Sequence, residues 1–485
     1  MATNKLWLLA GLVAAALPAC ATDEEPADDW ADADPGDFDS KADGISGSST
    51  AVLDLIDGAT ERVFVQIPTL ADKTLLTHLK SAAQRGVDVR AYMVVPHAGH
   101  PQTVLAAEQV EAAGVDLCVE RTARLPKFLA LADDQLLTGT STAPKIITTA
   151  ADVTAAATKF LAAVTEGTSD PVPALGSDGT ALMLMPDSHA GPIVSLIAGA
   201  TTSIDLEIYQ LQSLAAIGAL EDAQHRGVAV RVMLEPRTVG FANFKQVAKR
   251  LAAAGITVKE TPPAFDSSHN VDHAKFMVLD GKELVFGSGN MVRSGLGGNL
   301  ATEFTNRDFW IRDRRPVAVG EAKQLFAADW ARTSTTSTAF KALVVTPDNA
   351  DARILALVDG ATTRVDVYNQ SLADATLQQH LKDAAHRGVT VRVLLGMQPG
   401  FGGAPPGNQP AIDDLASAGI AAGFFTAHYL HGKVVVADGH AFVGSQNFTR
   451  GGLVNNRELG EILDSATIVA ALEKTFAADL AHPAP

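Results

Sequence analysis

Apolar residues recur along this chain in three copies of one pattern. Each copy opens with a short amphipathic helix that stops at a Gly-Ala-Thr turn. The turns read Leu55-Ile-Asp57-Gly58-Ala59-Thr60, Leu196-Ile-Ala-Gly199-Ala200-Thr201 and Leu357-Val-Asp359-Gly360-Ala361-Thr362. A β-rich segment follows (RVFVQI, SIDLEIY and RVDVYNQ), then a stretch of helical period, predicted over Leu214–Arg226 in the second copy. The helix stops at Arg85-Gly86, Arg226-Gly227 and Arg387-Gly388, preceded by His225 and His386 in the last two. Glycine suits the left-handed position past a helix end, and a basic residue suits the C-terminal dipole. The next strand, Val228–Leu234 in the second copy, is a continuous apolar run, as expected of a parallel strand covered on both faces. The interval between the two glycines is 28 residues in all three copies, which identifies an internal repeat. Each copy predicts a right-handed βαβ unit.

A further helix follows, predicted over Ala242–Ala254 and Ile412–Ala418, and then a hairpin. The hairpins begin His273-Ala-Lys275-Phe-Met-Val-Leu-Asp280-Gly and His431-Gly-Lys433-Val-Val-Val-Ala-Asp438-Gly. Residues i and i+2 of a strand point the same way, so each histidine shares a face with its lysine. Asp438-Gly439 signals a type I′ turn, with Ala441 to Gly444 as the returning strand. That return carries Ser445 and Asn447 towards His431, as Ser288 and Asn290 are carried towards His273. Closing helices are predicted over Pro316–Thr333 and Ala466–His482, matched by Ala151–Val164 in the first copy. Linkers fall at 166–179 and 333–338. Gly396–Pro410, with five glycines and four prolines, reads as a lid over the site or a plain surface loop.

Each hairpin gathers an imidazole, an ammonium, a hydroxyl and an amide, the groups needed to hold and attack a phosphodiester. Two histidines can divide the work of nucleophile and general acid/base. Lys275, Lys433, Ser288, Asn290, Ser445 and Asn447 are the candidates for binding the phosphoryl oxygens. A second echo stands downstream: Asn306-Arg307-Asp308 and Asn456-Arg457-Glu458. A catalytic histidine needs a partner on its other ring nitrogen, and Asp308 and Glu458 are placed to supply it. The bland alternative, an Arg/acid surface pair, does not explain the recurrence. Asp280 and Asp438 belong to the motif and are counted with the catalytic set, but at the turn they read as residues that structure the hairpin. His-x-Lys puts an ammonium where a second metal ligand would stand, so no metal and no cofactor is expected. His269 and His428, just upstream of the motifs, read either as residues lining the mouth of the site or, the favoured alternative, as loop histidines.

The doubled motif, with both Ser/Asn tails, resembles the HKD signature of the phospholipase D superfamily. The resemblance implies an α/β fold, an α-β-α sandwich of two halves across a pseudo-two-fold, with one active site at the seam of a monomer. It implies that His273 attacks phosphorus to form a phosphohistidine, that His431 is the acid/base, and that Asp308 and Glu458 support the histidines. In the first copy the aligned stretch reads Leu125-Pro126-Lys127-Phe128, ending at Ala132, with Leu125 in place of the histidine and Ala132 in place of the aspartate. Residues 49–165 are therefore expected to be a degenerate third half, and 181–335 and 341–482 the catalytic pair.

The start of the chain adds a setting. Lys5 and the apolar run Leu6 to Leu17 resemble a secretion signal, too short to span a bilayer comfortably. Leu17-Pro18-Ala19-Cys20 resembles a bacterial lipobox, so residues 1–20 predict an exported lipoprotein with a lipid on Cys20, or else simple cleavage near Ala19 and secretion. Residues 21–43 carry ten Asp/Glu and one Lys, −9 of a formal −17, and 21–48 read as a disordered acidic tether. Cys118 is the other cysteine, which leaves no disulfide among mature residues. The expected reaction is hydrolysis of a phospholipid at a membrane surface to phosphatidate and a headgroup alcohol. The alternatives are cardiolipin synthase-like transfer of a phosphatidyl group, a nuclease, and a non-catalytic surface protein. An acidic chain disfavours nucleic acid as the partner.

Overall fold

The structure, a computed structural model, describes residues 49–67, 73–94, 116–120, 129–140, 143–164, 170–211, 213–236, 244–261, 271–292, 294–297, 305–333, 339–397, 405 and 407–481. The leader with Cys20, the acidic stretch 21–48, Leu125 to Phe128, His269 and residues 398–404 of the Gly/Pro-rich loop lie outside these residues.

Three sheets carry the three copies, and all have one topology. The first holds β1 (Arg62–Ile67), β2 (Asp88–Val94), β3 (Asp116–Glu120), β4 (Leu129–Ala132), β5 (Gln135–Thr140) and β6 (Ala143–Ile147) in the order β3-β2-β1-β4-β5-β6. The second holds β7 (Thr180–Met185), β8 (Ser203–Ile208), β9 (Ala229–Leu234), β10 (Thr257–Glu260), β11 (Lys275–Leu279), β12 (Glu283–Gly287) and β13 (Asn306–Asp313) in the order β10-β9-β8-β11-β12-β13, with β7 on β13. In the third, β14 (Leu343–Thr346), β15 (Arg364–Asn369), β16 (Thr390–Gly396), β17 (Ala421–Phe425), β19 (Lys433–Ala437), β20 (His440–Gly444) and β21 (Glu458–Leu463) repeat it as β17-β16-β15-β19-β20-β21-β14. A short strand, β18 (Tyr429–Leu430), leaves the third sheet and pairs in parallel with β13 of the second.

The constant glycine interval has a physical cause. Arg85, Arg226 and Arg387 each reach back 28 residues and donate to the last carbonyls of the preceding helix: Asp57 at 3.2 Å, Ala198 at 2.8 Å and Asp359 at 3.0 Å. The glycines that follow take the left-handed backbone, with φ of 89°, 88° and 90°. The arginine therefore caps its neighbour helix as well as ending its own, and an insertion between the two would break the contact.

The motif aspartates fasten the hairpin to the strand beside it. Asp280 accepts from the backbone N–H groups of Thr201, Thr202 and Ser203 at 2.9, 2.7 and 3.1 Å and from both threonine hydroxyls. Asp438 does the same to Thr362, Thr363 and Arg364. The threonine of each Gly-Ala-Thr turn is thus part of the hairpin's anchor. Asp438 is left-handed (φ 49°) but Gly439 is not, so this turn is not the type I′ that Asp-Gly predicts, which needs both.

The first copy corrects its own alignment. Asp133, also left-handed (φ 49°), accepts from Thr60, Glu61 and Arg62 at 2.9 Å each, so the motif aspartate is retained there and does not correspond to Ala132. Strand register agrees: Ala132 pairs with Val63 as Leu279 pairs with Ile204. The equal spacing of His273–Gly287 and Leu125–Gly139 misleads because the second hairpin has a longer turn. It pairs Leu279 with Glu283, whereas the first pairs Ala132 with Gln135. Counted back from Asp133, Pro126 and Phe128 stand where the other copies have histidine and lysine.

The second and third units pack face to face. Outside the second sheet lie α4 (Gly191–Gly199), α5 (Leu214–His225) and α6 (Phe244–Ala253), and outside the third α8 (Ala350–Gly360), α9 (Ala375–His386) and α10 (Asn408–Ser417). The last begins at Asn408, earlier than Ile412, because Pro410 fits a first helical turn. Between the sheets lie α7 (Pro316–Ala331) and α11 (Ala466–Leu480). One core spans the interface, with Phe276, Phe286, Phe309 and Phe326 from one unit and Tyr368, Val434, Leu459 and Phe476 from the other. The first unit has α1 (Thr50–Gly58) and α2 (Lys73–Gln84) on one core of its own, and α3 (Ala150–Val164) closes it.

Candidate active site

Both motifs end at the interface between the second and third units, and backbone bridges fix them there. The N–H of His273 donates to the Arg457 carbonyl at 2.8 Å, and the N–H of Arg457 to the Val271 carbonyl at 2.9 Å. In return the N–H of His431 donates to the Arg307 carbonyl at 3.2 Å, and that of Tyr429 to the Thr305 carbonyl at 3.0 Å. Each histidine is thus paired with the Asn-Arg-acid segment of the opposite unit. The contacts are reciprocal, as an approximate two-fold requires.

The carboxylates follow the backbone across. Glu458 of the third unit lies 2.9 Å from Nδ1 of His273, and Asp308 of the second unit 3.0 Å from Nδ1 of His431. Each acid serves the histidine of the other half. A carboxylate on Nδ1 fixes the ring and leaves Nε2 for chemistry. Both acids are fully buried, and each is held by its own serine. Ser288 donates to Asp308 at 2.6 Å and accepts from the Phe309 N–H at 2.9 Å. Ser445 accepts from the Leu459 N–H at 3.1 Å and bonds the Glu458 carboxyl. The serines were expected on the phosphoryl oxygens; they instead complete two relays, Ser288–Asp308–His431 and Ser445–Glu458–His273. Gly287, just before the serine, lets β13 come close enough: a Cβ there would stand 2.6 Å from the Phe309 carbonyl.

Lys275 and Lys433 are fully buried, which an ammonium tolerates only with partners. Lys275 donates to the carbonyl of His273 at 2.7 Å, and Lys433 to the carbonyl of His431 and to Oε1 of Gln370 at 3.0 Å. Asn290 donates through Nδ2 to Gln210 at 3.3 Å. Its Oδ1, and that of Asn447, are buried without a protein partner. An amide oxygen accepts, so an anionic phosphoryl centre would have to be met by the remaining N–H donors of the two lysines and two asparagines, which stay its candidates.

The arginines of the echo are buried, not surface pairs. Arg307 bonds Asp479 of α11 at 3.1 Å, and Arg457 bonds Asp329 of α7 at 3.1 Å, each reaching into the other unit. His428 is half-buried and pairs across the seam with Thr305 at 2.9 Å, so it is a seam residue more than a loop histidine. Asp280 and Asp438, counted with the catalytic set from the sequence, are not in the site. Seven strand steps of about 3.3 Å put Asp280 on the order of 20 Å from His273.

The two relays differ electrostatically. Burial, with Lys275, Lys433 and His431 nearby, holds the His273 imidazole well below its ordinary range. Burial pushes the Glu458 carboxyl up to about 8, although Lys275, Ser445 and Asn456 pull it down. At Asp308 burial also raises the carboxyl, but His431, Lys433 and Ser288 outweigh it and keep it below the usual carboxylate range. One half thus presents an uncharged imidazole beside a carboxyl that ionises near 8, and the other an imidazole beside a carboxylate. Tyr209 and Gln370 carry no motif signal, yet these touch the two lysines. They occupy one column of the repeat, at the ends of SIDLEIY and RVDVYNQ.

Comparison with known proteins agrees with this geometry. The family profile described as "Cardiolipin synthase, PLD-like domain" matches residues 193–330 and 354–480, more than half of the chain. A cardiolipin synthase of Halalkalibacterium halodurans is 24% identical over 243 residues, covering 44% of this chain and 46% of that relative. A Streptococcus mutans protein of uncharacterized function is 26% identical over 304 residues, covering 54% of this chain and 62% of that one. The matched regions therefore span about half to three-fifths of these relatives. The crystal structure of a Haemophilus influenzae phosphatidylserine synthase superposes with a TM-score of 0.50 at 12% identity, covering 63% of this chain and 87% of that one; at that identity it supports the fold alone.

Proposed function

Since the chain belongs to the phospholipase D superfamily, we propose that it cleaves a phospholipid phosphodiester in two displacements and passes the phosphatidyl group to a hydroxyl acceptor. The observation that carries this reading is the pair of crossed relays, which present two Nε2 atoms to one seam. In the first displacement Nε2 of His273 donates its lone pair to phosphorus and the bond to the headgroup oxygen breaks. His431 gives its Nε2 proton to the departing oxygen, which leaves as the alcohol. The phosphatidyl group is then bonded to His273. In the second, His431 takes the proton of an incoming hydroxyl, its oxygen attacks phosphorus, and the phosphorus–nitrogen bond breaks. Lys275, Lys433, Asn290 and Asn447 stabilise the charge on the phosphoryl oxygens in both steps.

The acceptor decides the product. Likeness to a cardiolipin synthase favours a lipid or polyol hydroxyl. Water in that place gives phosphatidate, the hydrolysis expected from the sequence. Vesicles of phosphatidylglycerol and phosphatidylcholine, with and without added glycerol, separate the two by mass spectrometry of the lipid products. Transferred lipid as the main product supports the first acceptor, and phosphatidate the second. Turnover of single-stranded DNA with no lipid product overturns the substrate class. The lipobox-like Cys20 supports a membrane-bound setting for such a substrate, and loss of membrane fractionation in Cys20→Ser tests it.

A further inference from the structure

We infer that Tyr209 and Gln370 are positioning residues that make the halves of the site unequal: Tyr209 keeps His273 an uncharged nucleophile, and Gln370 locks Lys433 as the directional phosphoryl cation. The inference rests on the two-displacement reading above.

The two residues follow β8 and β15 at one position of the repeat. The bridges, crossed acids, serines and lysine-to-carbonyl bonds are matched between halves; here the halves differ. The Tyr209 backbone donates to the Ala274 carbonyl at 3.1 Å, which sets its ring against the motif. The ring centroid lies 4.7 Å from that of His273 at an interplanar angle of 64°, and Nζ of Lys275 lies 5.1 Å from the same centroid. One aromatic ring therefore touches both the nucleophile and the nearest ammonium. Gln370 instead accepts from Lys433 through Oε1 at 3.0 Å and donates through Nε2 to the Tyr429 hydroxyl at 2.8 Å. Tyr429 in turn lies 6.3 Å from the His431 ring.

These environments act differently. The ionisable groups facing His273 are Lys275 on its own strand, Lys433 and His431 from the opposite hairpin, and Glu458 from β21. Against that set, an aromatic wall excludes water and so disfavours the imidazolium. Its π face holds Lys275 without a directional bond. The carboxamide of Gln370 is directional: with the His431 carbonyl it fixes where the Lys433 protons point. Lys433 is then pre-aimed and His273 stays free to attack.

The whole protein tests this with bis-p-nitrophenyl phosphate as a soluble diester and ¹⁵N-histidine NMR to titrate His273. Tyr209→Phe keeps the ring and should leave kcat within about twofold and the His273 titration in place. Tyr209→Gln, which installs the residue of the other half, should lower kcat about tenfold and move the His273 titration up towards the ordinary histidine range. Gln370→Leu should raise KM about tenfold with that titration unmoved, and an unchanged KM there overturns the part assigned to Gln370. If Tyr209→Phe is as slow as Tyr209→Gln, or if the His273 titration stays put in Tyr209→Gln, the inference is overturned. Base-quenched wild-type reactions report on the reading beneath it. A phosphohistidine at His273 upholds the two displacements whatever the variants do, one at His431 alone keeps them but overturns the inference, and none at either histidine overturns both.

Discussion

Asp280→Ala separates the motif aspartate's place in the signature from its place in the fold. The Asp280 carboxylate accepts from three backbone N–H groups and two threonine hydroxyls at the end of the neighbouring strand. A net hydrogen bond contributes about 0.5–1.5 kcal/mol, and at an exposed turn water takes over part of each. About 2 kcal/mol is a reasonable total on that basis. The residue is also left-handed (φ 53°), a region Asp and Asn tolerate and alanine does not, which adds about 1 kcal/mol. At roughly 2–4 °C per kcal/mol, Asp280→Ala should melt roughly 6–12 °C lower and Asp280→Asn roughly half as much lower. The carboxyl is held well below its usual range, so its contribution is present above pH about 4 and fades as pH falls further. The two melting curves should accordingly converge in acid. Activity on a soluble diester at 20 °C, well below either transition, should stay within about threefold of wild type, because the order-of-20 Å separation rules out proton transfer. Scanning calorimetry at pH 7 with kinetics on the same samples decides the matter. An unchanged melting temperature with a loss of about a hundredfold in kcat would put Asp280 in the chemistry and refute the argument.

The other expectations rest on the crossed relays and on burial. Glu458→Gln should cost about a hundredfold in kcat although Glu458 lies in the half that does not carry His273, with circular dichroism unchanged; a loss below about threefold would contradict the crossing. Because attack needs Nε2 free and Nδ1–H given to an ionised Glu458, kcat/KM should climb with pH towards about 8, and a profile flat from pH 6 to 9 would speak against it. Burial raises Asp272 to about 7, Asp329 to about 6 and Glu458 to about 8, so the folded chain keeps protons that the unfolded chain releases. Their stability is complete below pH about 4 and is lost as pH rises through those values; a urea midpoint that increases from pH 5 to 8.5 would reverse this sign. A chain beginning near residue 170 should fold and turn over the soluble diester, and a folded but inert product would give the first unit a part in the site.

What was legible in the sequence followed from local periods. The 28-residue glycine interval and the two hairpins are written in residues a few positions apart, and the strands they predict are present. Partners across the seam are not written that way. Glu458 stands 185 residues from His273 and Asp308 123 from His431, and either acid would suit the histidine of its own half on spacing alone. Only the facing of two sheets decides the exchange. The serines were misread for a related reason. A hydroxyl beside an asparagine looks available to substrate until β13 and β21 bring their acids alongside it. Asp133 was hidden by turn length: one extra residue between Leu279 and Glu283 made a shifted alignment look exact in spacing. The threonines that follow each Gly-Ala were in plain view as a repeat, but their use as an aspartate's socket needs the neighbouring strand.

Crossed relays make the half an incomplete object. A half that keeps its histidine, lysine and serine still lacks the acid that orients the imidazole, because that acid belongs to its mate. Sites of this design come one to each pair of halves, and the described residues form three halves. Two close on each other and one is the remainder of an odd count. For the remainder, a histidine has nothing to gain, whereas Asp133 still holds a hairpin together within its own sheet. Drift should then erase the letters of the signature that depend on a mate and spare the letter that does not, which is the pattern Pro126, Phe128 and Asp133 show. The same arithmetic offers a tool: two such halves produced as separate chains would report, by the return of turnover, that they had met.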